Sequence, residues 1–176
     1  MDGGHKYLSR PPRYPVEIPE FLLAEVRKRG IDLVDLLSKA LGVDPPRRAS
    51  AHLELAKRFL AEGVALAEGD PVQASEKLYK AAEEAVKALA VALGLEEAQK
   101  AEEQGRWTAA LLFTAVDKIA KREGEDFKLW WKSAWFLHVE GFHEARLTPE
   151  QVKDEVKYVK KVVETAVRHL ETTSRG

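Results

Sequence analysis

The stretch that decides the fold is residues 148–172, "TPEQVKDEVKYVKKVVETAVRHLET". Its apolar residues recur alternately four and three positions apart, which is the spacing of one face of a long α-helix packed at a shallow angle against antiparallel neighbours. Thr148, Pro149 and Gln151 supply a helix cap, a favoured first residue and a reciprocal capping partner. The residues of the repeat are Val152, Val156, Val159, Val163, Ala166 and Leu170.

The preceding sequence carries the same kind of helical periodicity, and no segment alternates with a period of two over a useful length. A residue resembling an N-cap, Asp70, precedes Pro71 and a helix that ends at Gly94. The polar stretch 95–106, "LEEAQKAEEQGR", is predicted to be a connector. The predicted fold is therefore all-α, an antiparallel up-and-down bundle of about five helices. The predicted helical segments are 19–41 with a break at Gly30, 47–68, 71–93, 107–122, the aromatic stretch described below, and 149–172.

The chain is predicted to have three parts. Residues 1–18 hold three prolines without periodicity and are expected to form an extended arm. Residues 19–45 form a short N-terminal helical segment that ends at a proline-containing helix break, "GVDPPRRAS". Residues 46–173 form the helical bundle.

The amino-acid composition of the chain argues against several classes of function. The net charge of -1 gives no overall attraction to nucleic acid or acidic membranes, so such binding would need a local patch. The absence of cysteine excludes disulfides and thiolate metal sites. We find no signal peptide and no apolar run near the roughly 18 to 20 residues of a membrane span, so a cytoplasmic location is expected. Abundant Lys, Arg and Glu, without asparagine, are typical of a thermophile.

Residues 129–147, "LWWKSAWFLHVEGFHEARL", hold three of the four tryptophans. On a helical wheel, Ala134, Val139 and Ala145 join the aromatic residues in one broad stripe, with His138 in its middle, and only Ser133, Glu140 and Glu144 form a clearly polar face. A helix that is apolar around most of its circumference is usually covered on both sides. We therefore expect a homodimer with this segment near the interface. The expected interface residues are Trp130, Trp131, Trp135, Phe136 and Phe142.

The two histidines of this stretch allow more than one interpretation. His138 is either a neutral core histidine with a hydrogen-bond partner or a proton donor and acceptor in a pocket. His143 is expected to be partly exposed, and with Glu140 it gives one E-x-x-H spacing of the helical dimetal pattern. That pattern needs a second E-x-x-H, which the chain lacks. We expect no metal site and no cofactor.

The sequence gives little indication of any other catalytic or binding site. The sequence has no glycine-rich phosphate loop, no G-x-S-x-G elbow and no H-E-x-x-H motif. The simplest interpretation of the lysines along the last helix is a solvent-exposed face, because acidic residues are interspersed among them. The alternative is that these lysines together hold a phosphate or an RNA backbone. The candidate ligand-binding residues are Glu140, Glu144, Lys157, Lys160 and Lys161.

Two blocks, "EGDPVQASEKLYKAAEEAVKALA" and "WFLHVEGFHEARL", followed by a long lysine-rich helix, resemble the archaeal PaREP family, which falls within the HEPN-like helical superfamily. The resemblance covers roughly residues 46–172. It implies an antiparallel helical bundle, frequent dimerisation and a prokaryotic cytoplasm. The wider superfamily includes ribonucleases of toxin–antitoxin pairs and non-catalytic partners of nucleotidyltransferases.

Nucleases of that superfamily carry an Arg, four to six residues, then a His on the later helices. Arg47 and His52 have this spacing at the start of the first bundle helix, so we interpret the match as chance. Six residues before His138 stands Lys132, a point charge without the bidentate guanidinium fork.

Two hypotheses follow. The first is a non-enzymatic dimeric bundle that binds a nucleotide, RNA or a protein partner. The second is a metal-independent ribonuclease that uses His138 or His143 with Lys132 in a dimer cleft. A single tetratricopeptide-like unit at residues 67–94 is a weaker third interpretation, because such arrays need at least three copies.

Overall fold

The computed structural model of the chain describes residues 17–173, so most of the predicted arm lies outside the described residues. Across the described range the chain forms eight α-helices and one π-helix, with no strand. The all-α prediction is confirmed. The elements are α1 (Glu20–Arg29), α2 (Leu33–Ala40), α3 (Pro45–Leu66), α4 (Pro71–Ala92), α5 (Glu96–Gln104), α6 (Ala109–Glu123), α7 (Asp126–Phe136), the π-helix (Leu137–His143) and α8 (Pro149–Thr173).

The predicted caps form. The Asp70 carboxylate accepts the Gln73 backbone N–H, which starts α4. At α8, the Thr148 hydroxyl accepts the Gln151 N–H while the Gln151 side chain accepts the Thr148 N–H. This reciprocal pair satisfies two helix-end donors and fixes the start of the longest helix.

Helix α4 is the centre of the bundle. It contacts α3 along most of its length and also packs against α6, α7, α8 and the π-helix. Its many alanines permit close approach of these neighbours, and Leu78, Val86 and Leu89 are fully buried among them. Residues 81–91 of α4 are buried on every side, so Glu83, Glu84 and Lys87 are buried too. Because α4 contacts both earlier and later helices, the fold is a bundle and not a stack of repeats.

The prediction that residues 95–106 form a connector is wrong, because residues 96–104 form helix α5. Glu, Ala, Gln and Lys are strong helix formers, and Gly105 ends the helix in the left-handed conformation. Glu97 is buried on α5 and pairs with Lys118 at 2.6 Å, which ties α5 to α6.

The aromatic stretch is not one α-helix. Helix α7 ends at Phe136, and the chain continues as a π-helix, in which the Glu144 N–H donates to the Val139 carbonyl five residues back. The wider turn changes which side chains share a face, and the wheel prediction is wrong at Ala145. Ala145 is exposed with a φ of 52°, outside the predicted stripe. Ser133, predicted on the polar face, is buried and donates to Glu155.

The π-helix lies directly against α4. A Cβ placed on Gly141 would come 2.5 Å from the Ser75 Cβ, so only glycine fits there without movement. This close approach brings His138 onto the face of α4 that carries Tyr79.

Within residues 17–173, no helix combines the length and the hydropathy needed to cross a bilayer.

Candidate ligand-binding cavity

A cavity of about 410 Å³ opens between α1, α4, the start of α6 and the junction of α7 with the π-helix. Four rings line it, and each comes from a different local structure. Tyr79 lies on α4, Trp135 on α7 and His138 on the π-helix, while Trp107 precedes α6. Helix α6 was predicted to start at Trp107, but Thr108 caps it, which leaves the indole outside the helix.

The rings on one wall form a continuous aromatic surface. The imidazole of His138 stacks on Tyr79 with ring centroids 4.0 Å apart and planes 26° apart. Trp135 meets both of these rings, at 6.0 Å from Tyr79 and 5.3 Å from His138. Burial, together with the nearby Glu83 carboxylate, raises the pKa of the Tyr79 phenol, so the ring stays neutral.

Cations stand at the mouth of the cavity and ion pairs lie on its floor. Arg27 and Lys80 are exposed or half-exposed, and the Lys80 ammonium lies 3.1 Å from Glu83. Lys87 and Asp32 lie on the floor, joined by a hydrogen bond of 2.8 Å. The cavity therefore combines apolar aromatic walls with a few placed charges, as small-molecule sites commonly do.

Lys87 neutralises a group of buried carboxylates. Its ammonium lies 2.7 Å from Glu83 and 2.8 Å from both Glu84 and Asp32. Burial alone would lower the pKa of Lys87, but these three carboxylates raise it well above its ordinary value. Burial would likewise raise the pKa of Glu83, but Lys87 and Lys80 lower it to about 2. Glu83 and Lys87 are therefore both ionised at neutral pH.

His52 extends this group into the core. Its Nδ1 lies 2.6 Å from Glu84 and its Nε2 lies 3.0 Å from Asp35. Because a carboxylate faces each nitrogen, both nitrogens carry protons. Burial would lower the pKa of His52, but the hydrogen bonds with Asp35 and Glu84 and the charges of Glu84 and Asp32 together raise it to about 9. The Trp107 indole donates to the other oxygen of Asp35 at 2.9 Å, which connects this cluster to the cavity wall.

Asp32, His52 and Glu84 have ligand atoms close enough to hold a metal ion. The chemistry of this set does not fit one. An imidazolium with both nitrogens protonated has no lone pair to give, and the Lys87 ammonium already occupies the position of a cation beside two of the three groups.

The structure brings the two histidine candidates together. The Nε2 atoms of His138 and His143 are 3.1 Å apart, and His138 Nδ1 lies 3.4 Å from the Glu76 carboxylate. His138 is half-buried on the cavity wall and His143 is exposed. The two interpretations of His138, as a neutral core histidine with a hydrogen-bond partner and as a proton donor or acceptor in a pocket, both stay predictions.

The other predicted site residues do not join this pair. Lys132 is exposed on α7. Glu140 and Glu144 both pair with Arg146, at 2.9 Å and 3.4 Å, and Glu140 is in no metal-like group within residues 17–173. The lysines lie on the exposed side of α8, where Lys157 and Lys161 cover the rings of Tyr158 and Trp130. Lys160 is exposed beside them.

Arg47 and His52, the two residues with the nuclease-like spacing, also lie in different surroundings. Arg47 is exposed and lies near Asp44, while His52 is fully buried in the charge cluster. The two side chains share no site.

The aromatic interface candidates differ in exposure. Trp131 is 1% exposed and contacts the rings of Tyr79 and Phe113 inside the chain, so its own bundle covers it. Trp130, Trp135 and Phe142 are half-buried, and Phe136 is 41% exposed.

Of the cavity residues, His138 was predicted as a candidate catalytic residue and Trp135 as an interface residue, whereas the rest of the cavity and the buried cluster were not predicted. The spacing of the polar residues could not show this cluster. Glu83, Glu84 and Lys87 continue the polar stripe of α4 that Gln73, Glu76, Lys77 and Lys80 begin, so the pattern predicts an exposed face where the structure buries one. The missed residues are Asp32, Asp35, His52, Tyr79, Lys80, Glu83, Glu84, Lys87 and Trp107.

Comparison with known proteins places the chain in a family. A model of the archaeal PaREP1/PaREP8 family matches residues 51–163. A Sulfolobus solfataricus protein with a crystal structure is 42% identical, the match covering 69% of this chain and 95% of that one, with a TM-score of 0.55. The solution structure of an open-reading-frame product is 43% identical over 70% and 91% of the two chains, with a TM-score of 0.53. No curated protein matches. The chain belongs to the archaeal PaREP1/PaREP8 family.

Proposed function

We propose that this protein is a non-enzymatic helical bundle that binds a nucleotide in the cavity between α1, α4, α6 and α7. The observation that carries the proposal is the pairing of aromatic walls with cations at the mouth. The volume of about 410 Å³ lies within the range of small-molecule sites, which is roughly 300 to 1,000 Å³.

The aromatic walls suit a nucleobase. Trp107 and Trp135 are half-buried, so each ring keeps a surface that a planar ligand can cover. Stacking of a base on an aromatic side chain is worth about 1 to 3 kcal/mol and tolerates every base. The hydrogen bond from Trp107 to Asp35 fixes the indole before a ligand arrives, which lowers the ordering cost of binding.

The mouth suits a phosphate. Arg27 and Lys80 are the cations on the open side of the cavity, whereas Lys87 is fully engaged with three carboxylates on the floor. An Arg can hold phosphate oxygens through two N–H groups, and a Lys supplies a point charge. A nucleotide would therefore enter base first and leave its phosphate beside these two residues.

Binding rather than catalysis fits the polar groups of the floor, because Lys87 holds both Asp32 and Glu83 in short ion pairs. A non-enzymatic bundle of this kind also fits the two-component nucleotidyltransferase or toxin–antitoxin setting that the HEPN-like resemblance implies.

Isothermal titration calorimetry with AMP, UMP, CMP and GMP, with inorganic phosphate as a control ligand, tests the proposal. Trp135→Leu and Lys80→Ala should each weaken binding about tenfold, since each removes an interaction worth about 1.4 kcal/mol or more. Lys121→Ala, an exposed position on α6 that does not line the cavity, is the matched control and should leave binding unchanged. Absence of binding by all four nucleotides would refute the proposal.

The proposed bundle is a homodimer that associates through α6 and α7. Phe113, Leu129 and Phe136 remain exposed there, and the Phe113 ring packs on Trp135. Light scattering should give a dimer for the wild type and a monomer for Phe136→Asp. Leu41→Asp, at an exposed apolar position just after α2, is the control and should stay dimeric. A monomeric wild type would contradict this part of the proposal.

The contact between His138 and His143 favours a second candidate function, a metal-independent ribonuclease. Two imidazoles whose Nε2 atoms lie 3.1 Å apart can act as acid and base on the two sides of a phosphodiester, and the Glu76 carboxylate lies 3.4 Å from His138 Nδ1. RNA cleavage in the presence of EDTA, abolished in both His138→Ala and His143→Ala while far-UV circular dichroism is unchanged, would establish this activity. It would also refute the non-enzymatic assignment.

A further inference from the structure

We propose that α1 is a lid over the cavity, and that it opens about Gly30 and Ile31 while α2 stays fixed to the bundle. This inference concerns the cavity itself and does not depend on which ligand enters it.

The chain from Asp32 onward is held firmly. The Asp32 backbone N–H donates to the Gly105 carbonyl, one carboxylate oxygen caps α2 through the Asp35 N–H, and the other accepts from Lys87. Asp35 adds its contacts with His52 and Trp107 three residues later. These bonds join the start of α2 to α4, to α3 and to the loop between α5 and α6.

Helix α1 has none of this anchoring. It contains no buried residue, and the polar side-chain pairs that the described residues show for it, Arg27 with Glu20 and Arg29 with Glu25, lie within α1 itself. Only its inward face, with Leu23 and Val26 half-buried, covers the bundle. Segments with few buried contacts open at low free-energy cost.

The geometry of the junction suits such a movement. Gly30 ends α1 with a φ of 62°, and the Ile31 N–H closes the turn on the Val26 carbonyl. The next residue is the anchored Asp32, so the change from unanchored to anchored chain occurs within two residues. Val26, Arg27 and Gly30 form one wall of the cavity, and movement of α1 would remove that wall. A lid of this kind lets a ligand enter and then excludes water from it.

The lack of cysteine makes a direct test available, because a single introduced thiol reports its own exposure. Leu112→Cys places the thiol in the cavity that α1 helps to line, at a position that is 3% exposed. Ala120→Cys places a matched thiol on the same helix at a buried position that does not line the cavity. With the lid, a thiol reagent should label the first variant at least about tenfold faster than the second under native conditions.

A second substitution separates lid opening from general loosening. Val26→Ser on the inward face of α1 should raise the labelling rate of Leu112→Cys about fivefold, while Leu22→Ser on the outward face should not change it. Equal labelling of the two thiols, or an equal response to both serine variants, would overturn the proposal.

Hydrogen exchange on the unmodified chain decides the question if Leu112→Cys fails to fold. The amides of α1 should then exchange at least about tenfold faster than those of α2. Similar protection of the two helices would overturn the lid, and neither experiment requires a nucleotide to bind.

Discussion

Replacement of Lys87 by Met tests the buried charge cluster that forms the cavity floor. The Lys87 side chain is 5% exposed and its ammonium contacts three carboxylates within 2.8 Å. Methionine fills a similar volume but leaves Asp32, Glu83 and Glu84 without their shared cation. Breaking a buried ion pair by removing one partner costs about 3 to 5 kcal/mol. For a chain of this size, that loss lowers Tm by roughly 6 to 20 °C.

Thermal and urea unfolding of Lys87→Met, beside Lys80→Met, measure this effect. Lys80 is the matched control because its side chain is 38% exposed and pairs with Glu83 at the cavity edge, where such a pair is worth about 0 to 1 kcal/mol. A loss for Lys87→Met no larger than for Lys80→Met would refute the cluster as a stabilising unit.

The pH dependence of the Lys87→Met variant gives a second, independent signature. In the wild type the pKa of Glu83 is lowered to about 2, so its contribution to the free energy of unfolding is present above its ordinary pKa of 4.5 and is lost as the pH falls toward 2. Without Lys87, burial favours the protonated acids. The variant should therefore become more stable as the pH falls from about 6 to about 5, where the wild type is nearly flat.

Two further predictions concern His52 and Gly141. The pKa of His52 is raised from 6.5 to about 9, so its stabilisation is complete below pH 6.5 and is lost as the pH rises through 9. Urea unfolding should show a decrease of about 3 kcal/mol across that window in the wild type and a much flatter profile in His52→Gln. Gly141→Ala forces a methyl group into Ser75 and should cost about 1 to 3 kcal/mol. Gly69→Ala, where a Cβ meets nothing within 4 Å, should be nearly neutral, and equal Tm values for the two variants would contradict the close packing of the π-helix on α4.

Much of the fold could be predicted because helix ends and apolar periodicity are local. The cap at Thr148 and the helix break at Gly30 depend on residues within a few positions of each other, and both form as predicted. Helix α5 was missed because its apolar face is almost entirely alanine, which carries little periodic signal.

The cavity could not be predicted, because its residues meet only through tertiary packing. Asp35 and Trp107 are far apart along the chain, and no spacing rule relates them. The π-helix also shifts the register of the aromatic segment, so a regular wheel places Ala145 in the apolar stripe when it is exposed. His138 was singled out from the sequence because it lies among aromatic residues, and it does line the cavity.

The binding of a nucleotide between the aromatic walls is tested most directly by the indole N–H signals of ¹⁵N-labelled protein during titration with AMP. The account predicts saturable shifts of Trp107 and Trp135, which line the cavity, with little change at Trp130, whose ring packs on Phe127 and under Lys161. Inorganic phosphate at the same concentration should not reproduce the Trp107 and Trp135 shifts. Unchanged signals for both tryptophans at saturating AMP, or a shift of equal size at Trp130, would contradict it.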